Sequence, residues 1–329
     1  MSGPACGSPP LTQDDPRKTS VWTGLRLRLL GIDRSEVQFA RRGFHAKSTA
    51  AAAHFETIGA TFVDGYHAAL AEPRPDPLAG VLESVPRELR GFAYEGAAMA
   101  LYLLDALTPW RRDRWRRFLA GPGQAHVYMM HVGAGWTLGR LPLRAERVRS
   151  YMDPLLGWLA IDGYAFHEAY FRTNRAVIRG TIPNRLKGYA RSAWDLGLGR
   201  GLWFVDGADV ERVSARIARF AADRQTYLWS GVGLACAYAG GADEDELNQL
   251  AVAAGEHRPS FAQGVTFAAK ARERAGNPAE HTDRACRIVC SVSAAEAARV
   301  TDEALVDALP QGDLPAFEIW RRRIQARFD

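Results

Sequence analysis

Lysine is nearly absent from this chain. Of its 42 basic residues only Lys18, Lys47, Lys187 and Lys270 are lysine, and the rest are arginine. With 37 acidic residues the formal charge is +5. An arginine bias beside abundant Ala and Gly reflects a GC-rich coding sequence, so the basic balance is weak evidence for a nucleic-acid partner. Cysteine is scarce as well. Cys6, Cys236, Cys286 and Cys290 make neither a disulfide framework nor a zinc pattern. Cys286 and Cys290, four apart, share a helix face and read as buried thiols. Alternating apolar and polar runs of strand length are few, which disfavours a sheet. The longest uncharged stretch, Phe118 to Gly139, carries five glycines, a proline and two histidines, which makes a poor membrane span. Residues 1–20, rich in Pro, Gly, Ser and Asp, lack the apolar segment that export requires and read as a disordered lead-in. A cytoplasmic location is the expectation.

What remains is enough for a large core. Apolar residues form 47% of 329 and charged residues 24%, which excludes disordered, collagen-like and disulfide-scaffold chains. The chain also resembles itself. Asp64-Gly65-Tyr66 returns as Asp162-Gly163-Tyr164, and Gly133-Ala134-Gly135 as Gly231-Val232-Gly233, both at an offset of 98. The stretch from Arg87 to Ala93 aligns with Asn184 to Ala190 at an offset of 97. A third copy starts at Phe261-Ala262-Gln263-Gly264, beside Phe62-Val63-Asp64-Gly65, and is cut short. Local patterns are helical: Gly96 to Leu104 and Ala294 to Arg299 by composition, Glu211 to Phe220 by apolar spacing at three and four. Asp209 and Ser293 stand as N-caps. The expected fold is therefore all-α, with tandem helical repeats of about 98 residues in a curved array or ring. One repeat domain would span 21–329, with units near 45–140, 141–241 and a partial 242–329.

Candidate chemistry sits in a few places. Asp64 and His67, three apart, share a helix face, and a carboxylate that orients an imidazole is an acid–base arrangement. In the second copy Asp162 is kept, with the histidine at His167 beside Glu168. The plainer alternative makes each Asp a helix cap and each His a partly buried polar residue. Glu95 precedes a strongly apolar helix; it either complements the helix dipole or faces inward, where burial would raise its pKa and make it a general acid. His126 and His131, five apart, point to different helix faces and do not chelate one metal. Gly133 and Gly135, with Gly231 and Gly233, suggest close helix–helix approach. The run from Trp110 to Arg117 and Trp320-Arg321-Arg322-Arg323 read as solvated faces of amphipathic helices with the Trp inside, in preference to a nucleic-acid surface.

At Phe39-Ala40-Arg41-Arg42-Gly43-Phe44, Phe62-Val63-Asp64-Gly65-Tyr66-His67, Tyr94 to Ala100, His131 to Trp136, Asp153 to Trp158 and Leu228 to Gly233 the chain resembles a bacterial family of unknown function, DUF1702. Members often occur with genes for enediyne polyketide biosynthesis. The resemblance supplies a pathway context, but no reaction and no catalytic residue. Taken together, the expected function is that of an enzyme or accessory protein acting on an apolar polyketide intermediate in a helical cavity. Asp64, His67, Glu95, His131, Asp162 and His167 are the acid–base candidates, and Tyr66, Trp136, Tyr164 and Trp229 the ligand-binding ones. The alternative is a noncatalytic scaffold that binds a polyketide synthase, a carrier protein or a labile product. A weaker third option is a haem or metal protein using His67, His131 or His167. No cofactor, nucleic-acid or membrane partner follows from the residues.

Overall fold

The computed structural model describes residues 16–108 and 110–329. Most of the lead-in, with Cys6, lies outside them, and the first helix, α1 (Pro16–Leu30), starts ahead of the expected boundary. The described residues hold no strand, only an isolated bridge between Gln311 and Leu314. Everything else regular is helical: α2 (Thr49–Ala71), α3 (Arg90–Leu107), α4 (Val127–Arg140), α5 (Trp158–Phe171), α6 (Tyr189–Val205), α7 (Ala222–Ala239), α8 (Arg258–Arg274), α9 (Ala294–Leu305) and α10 (Ala316–Gln325), with shorter helices between them. No helix among the described residues is long and apolar enough to cross a membrane.

The helices start where the local chemistry says they should. The Ser48 hydroxyl accepts from the Ala51 amide at the head of α2. Asp209 caps Val210–Ile217 in the same way. Ser293 forms a reciprocal capping box with Glu296 at the head of α9. Each such cap satisfies a backbone donor left over in the first turn, worth about 1 kcal/mol.

From α2 to α9 the labelled helices pack in chain order, each against the next. One device recurs at these interfaces. A Cβ added to Gly96, Gly133, Gly163, Gly197, Gly231 or Gly264 would lie 1.9–2.1 Å from a carbonyl oxygen of the neighbouring helix, those of Phe62, Glu95, Val132, Asp162, Leu196 and Ser230 in turn. Backbone therefore touches backbone, and any side chain there would force the helices apart. The row also folds back on itself: Phe55 of α2 meets Phe204 of α6 with ring centroids 5.0 Å apart, and Phe92 of α3 meets Tyr238 of α7 at 5.2 Å.

Two surface expectations need correcting. Trp110 is exposed outside any helix, while Trp115 is buried and donates its indole N–H to the Met130 carbonyl at 3.0 Å. Arg321 does not lie on a solvated face but is fully buried beside Trp320. Its guanidinium is held by Glu318 and by Gln263, and it stacks 5.0 Å from the centre of the Tyr227 ring.

Candidate functional site

Glu95 lies in the second turn of α3, where the residues from Gly91 to Leu101 are all buried. It faces inward, at 1% exposure, which removes the dipole-only alternative. Its Oε1 accepts the Trp136 indole N–H at 2.9 Å and lies 3.8 Å from the Arg200 guanidinium. Arg200, from α6, forms a short charged hydrogen bond with Asp162 of α5 and stacks 4.8 Å from the centre of the Phe166 ring.

Local sequence explains this meeting. Gly197 lets α6 come against the Asp162 carbonyl, and Arg200, three residues on, shares its helix face and reaches the Asp162 carboxylate. Gly133 does the same for α4 against the Glu95 carbonyl, which sets Trp136 over Glu95.

Three buried ionisable groups in one place need not all carry charge. Burial pushes the Glu95 carboxyl up to about 7, helped by the charge on Asp162 and opposed by Arg200 and the Trp136 donor. Burial also raises Asp162, against Arg200. Burial lowers Arg200, but the charges on Asp162 and Glu95 outweigh it and hold the guanidinium above its usual value. The cation sits closer to Asp162, so that pair stays charged and Glu95 keeps the exchangeable proton near neutrality. A carboxyl poised at that pH is suited to both giving and taking a proton.

The cluster borders two small apolar cavities. One, of about 40 Å³, is lined by Glu95 with Phe62, Phe92, Trp136, Phe166 and Tyr170, and Ile32, Glu36 and Val37 close another side. The other, of about 30 Å³, touches Arg200 with Leu159, Tyr238, Phe267 and Phe317.

The remaining candidates scatter. Asp64 is paired with Arg34 at the surface, its side chain 45% exposed, and it lines no hollow with Asp162. Both aspartates sit inside their helices, so neither is a cap. The same Asp-Gly-Tyr motif ends differently because α5 is flanked by α4 and α6, whereas α2 stands at the start of the row. His67 accepts the Ile32 amide at 3.1 Å, and burial lowers its pKa against the pull of Asp64. His131 is buried edge-on to Trp115, with Nδ1 bonded to the Val127 carbonyl and Nε2 without a partner. Burial lowers its pKa, against the Val127 hydrogen bond and the charge on Asp153. His167 packs on Trp136, ring centroids 5.7 Å apart, with Nδ1 3.3 Å from Glu168; burial lowers it too. Tyr66 is buried and donates to the Leu30 carbonyl at 2.7 Å. Tyr164 lines an open cleft, and Trp229 packs against Phe261 at 5.9 Å, in neither cavity. Among the described residues no group of three or more His, Cys, Asp and Glu gathers to hold a metal ion.

Sequence reasoning did not single out Arg200. A signal existed: it lies in Leu196-Gly197-Leu198-Gly199-Arg200-Gly201-Leu202-Trp203 with no carboxylate three or four residues away, so its countercharge has to come from another helix.

A family model described as a protein of unknown function, DUF1702, matches residues 21–328. No curated protein and no solved structure matches the chain.

Proposed function

The chain belongs to the DUF1702 family, and we propose that it acts in enediyne polyketide biosynthesis by moving a proton on an apolar, conjugated intermediate. One observation carries this reading: Glu95, buried against aromatic walls, has a carboxyl pushed up to about 7 and a guanidinium 3.8 Å away. Neutral Glu95 gives its proton to an alkene carbon. Arg200 and the Trp136 N–H stabilise the carboxylate left behind, and Glu95 takes a proton back from a neighbouring carbon of the cation. Proton out and proton in balance, so the step is a redox-neutral isomerisation or cyclisation. Phe166, Tyr170 and Trp136 supply the aromatic surface that a carbocation favours.

The cavity beside Glu95 has room for only a water or two as it stands. Entry of a polyene therefore requires the walls of this cavity to open. The glycine contacts, which recur from one helix to the next, support reading the helices as a tandem array in which an expected unit of about 98 residues takes in about three of them.

The small cavities also favour a second reading, in which the protein is a noncatalytic scaffold for a synthase, a carrier protein or a labile product. A producing strain lacking this gene separates the two. Complementation with Glu95→Gln, shown to fold, should leave the polyene precursor accumulated if Glu95 transfers the proton. Full product output from that variant would sink the proton-transfer reading and leave the scaffold.

A further inference from the structure

A hollow larger than the two small cavities lies away from Glu95. It is an open cleft of about 550 Å³ between the end of α4, the second half of α5 and the segment 172–185, within the usual size range of small-molecule sites. Four arginines line it: Arg140, Arg172, Arg175 and Arg185.

Their charge is poorly compensated. The carboxylate against them is Glu168, which is buried and shared between Arg172 at 3.1 Å and His167 at 3.3 Å. Arg140 donates to the Leu30 carbonyl at 3.2 Å and has no carboxylate partner among the described residues. Arg185 donates to the Tyr164 hydroxyl at 2.6 Å and stacks 5.0 Å from the centre of that ring. Arg175 has no side-chain partner among the described residues. A second arginine-lined cleft, of about 230 Å³, is better compensated: of Arg179, Arg216, Arg219 and Arg224 there, Arg216 is tied to Asp206 and Arg224 to Asp195. Unneutralised guanidinium groups in a concavity focus a positive field, and each offers a planar fork that fits an oxyanion.

Leu138, Leu141, Pro142, Ile182 and Pro183 make an apolar part of the wall, beside the polar Thr181 and Asn184. The floor is thin at Gly139, where a Cβ would lie 2.0 Å from Nδ1 of His167. His167 in turn packs on Trp136, which lines the cavity beside Glu95.

We propose that this cleft binds the anionic end of a small amphipathic molecule, a phosphate or a carboxylate held by Arg140, Arg175 and Arg185, with its apolar portion along Leu138 and Ile182. The assignment does not depend on proton transfer by Glu95.

Isothermal titration calorimetry on the full chain tests it with dodecyl phosphate, dodecanoate and uncharged dodecanol as probes. One or both anions should bind at least about tenfold more tightly than dodecanol, and weaken as salt rises. The tighter anion identifies the head group. The double variant Arg175→Ala/Arg185→Ala should lose about tenfold or more for that anion, and Arg175→Glu alone should lose a similar amount, both with an unchanged far-UV CD spectrum. Arg219→Ala, in the neighbouring cleft, should bind like wild type. So should Glu95→Gln, which separates this test from that of the proton-transfer reading. Dodecanol binding as tightly as the anions would overturn the proposal, as would full affinity in the cleft variants or an equal loss in Arg219→Ala.

Discussion

Replacing Glu95 by Gln should make the protein more stable than wild type above neutrality and leave it nearly unchanged in mild acid. Gln keeps the size of the side chain and its acceptor for Trp136, but carries no charge. A carboxyl with a folded pKa of about 7 against an ordinary 4.5 binds more protons folded than unfolded across that interval. Wild-type stability from this group is therefore present below about pH 4.5, falls as pH rises towards 7, and levels off above it. A difference of about 2.5 units at about 1.4 kcal/mol each gives about 3–4 kcal/mol, of which some 2–3 kcal/mol separates pH 5 from pH 8. Urea unfolding followed by tryptophan fluorescence, at four pH values between 5 and 8, reads the gap directly. It should open steadily in favour of Gln. Parallel stability curves for the two proteins would refute the assignment of a raised pKa to Glu95.

Three further outcomes follow from the packing and the charges. Gly133→Ala places a Cβ 2.1 Å from the Glu95 carbonyl oxygen and should cost about 3 kcal/mol or more in thermal unfolding. By contrast Gly80→Ala, on the short helix Pro75–Glu83 with nothing within 4 Å, should stabilise by about 0.5–1 kcal/mol. Arg200→Met removes the cation between two buried carboxyls and should destabilise by about 3–5 kcal/mol at pH 8. Part of that loss should be recovered at pH 5, as Glu95 and Asp162 take up protons; a loss independent of pH would contradict the cluster. Burial pushes the thiols of Cys236 and Cys290 well above their ordinary range, and that of Cys286 up to about 12. All three should resist Ellman's reagent in the native protein and react once guanidinium unfolds it.

The all-helical class was legible in the sequence because apolar spacing, Ser and Asp caps and the lack of alternating runs are local signals. The glycines were legible for the same reason: Gly133 and Gly231 stand in apolar helices where only a close neighbour explains them, and both meet a carbonyl of the adjoining helix. Burial was harder to read. Asp64 and Asp162 sit in the same tripeptide, yet one pairs with Arg34 at the surface and the other with buried Arg200. What separates them is that long helices pack closely on both sides of α5 but on one side of α2, which no local pattern encodes. Arg200 looked ordinary among so many arginines, although its apolar surroundings and missing helical countercharge marked it. Arg321 escaped notice because the three arginines at 321–323 have the outline of a solvated face, while Glu318, one turn earlier on α10, and Gln263 of α8 draw it inside. The arginine cleft was not legible at all, since it forms from α4, α5 and the segment 172–185 only once they pack.

The protonation of Glu95 can be observed without a substrate. A pH titration by infrared difference spectroscopy, wild type minus Glu95→Gln, isolates one carboxyl among the 37 acidic side chains. The protonated-carboxyl band should persist through mild acid and disappear with a midpoint near 7. Disappearance at the ordinary carboxylate value, near 4.5, would show Glu95 to be a plain anion held by Arg200, with no proton to give.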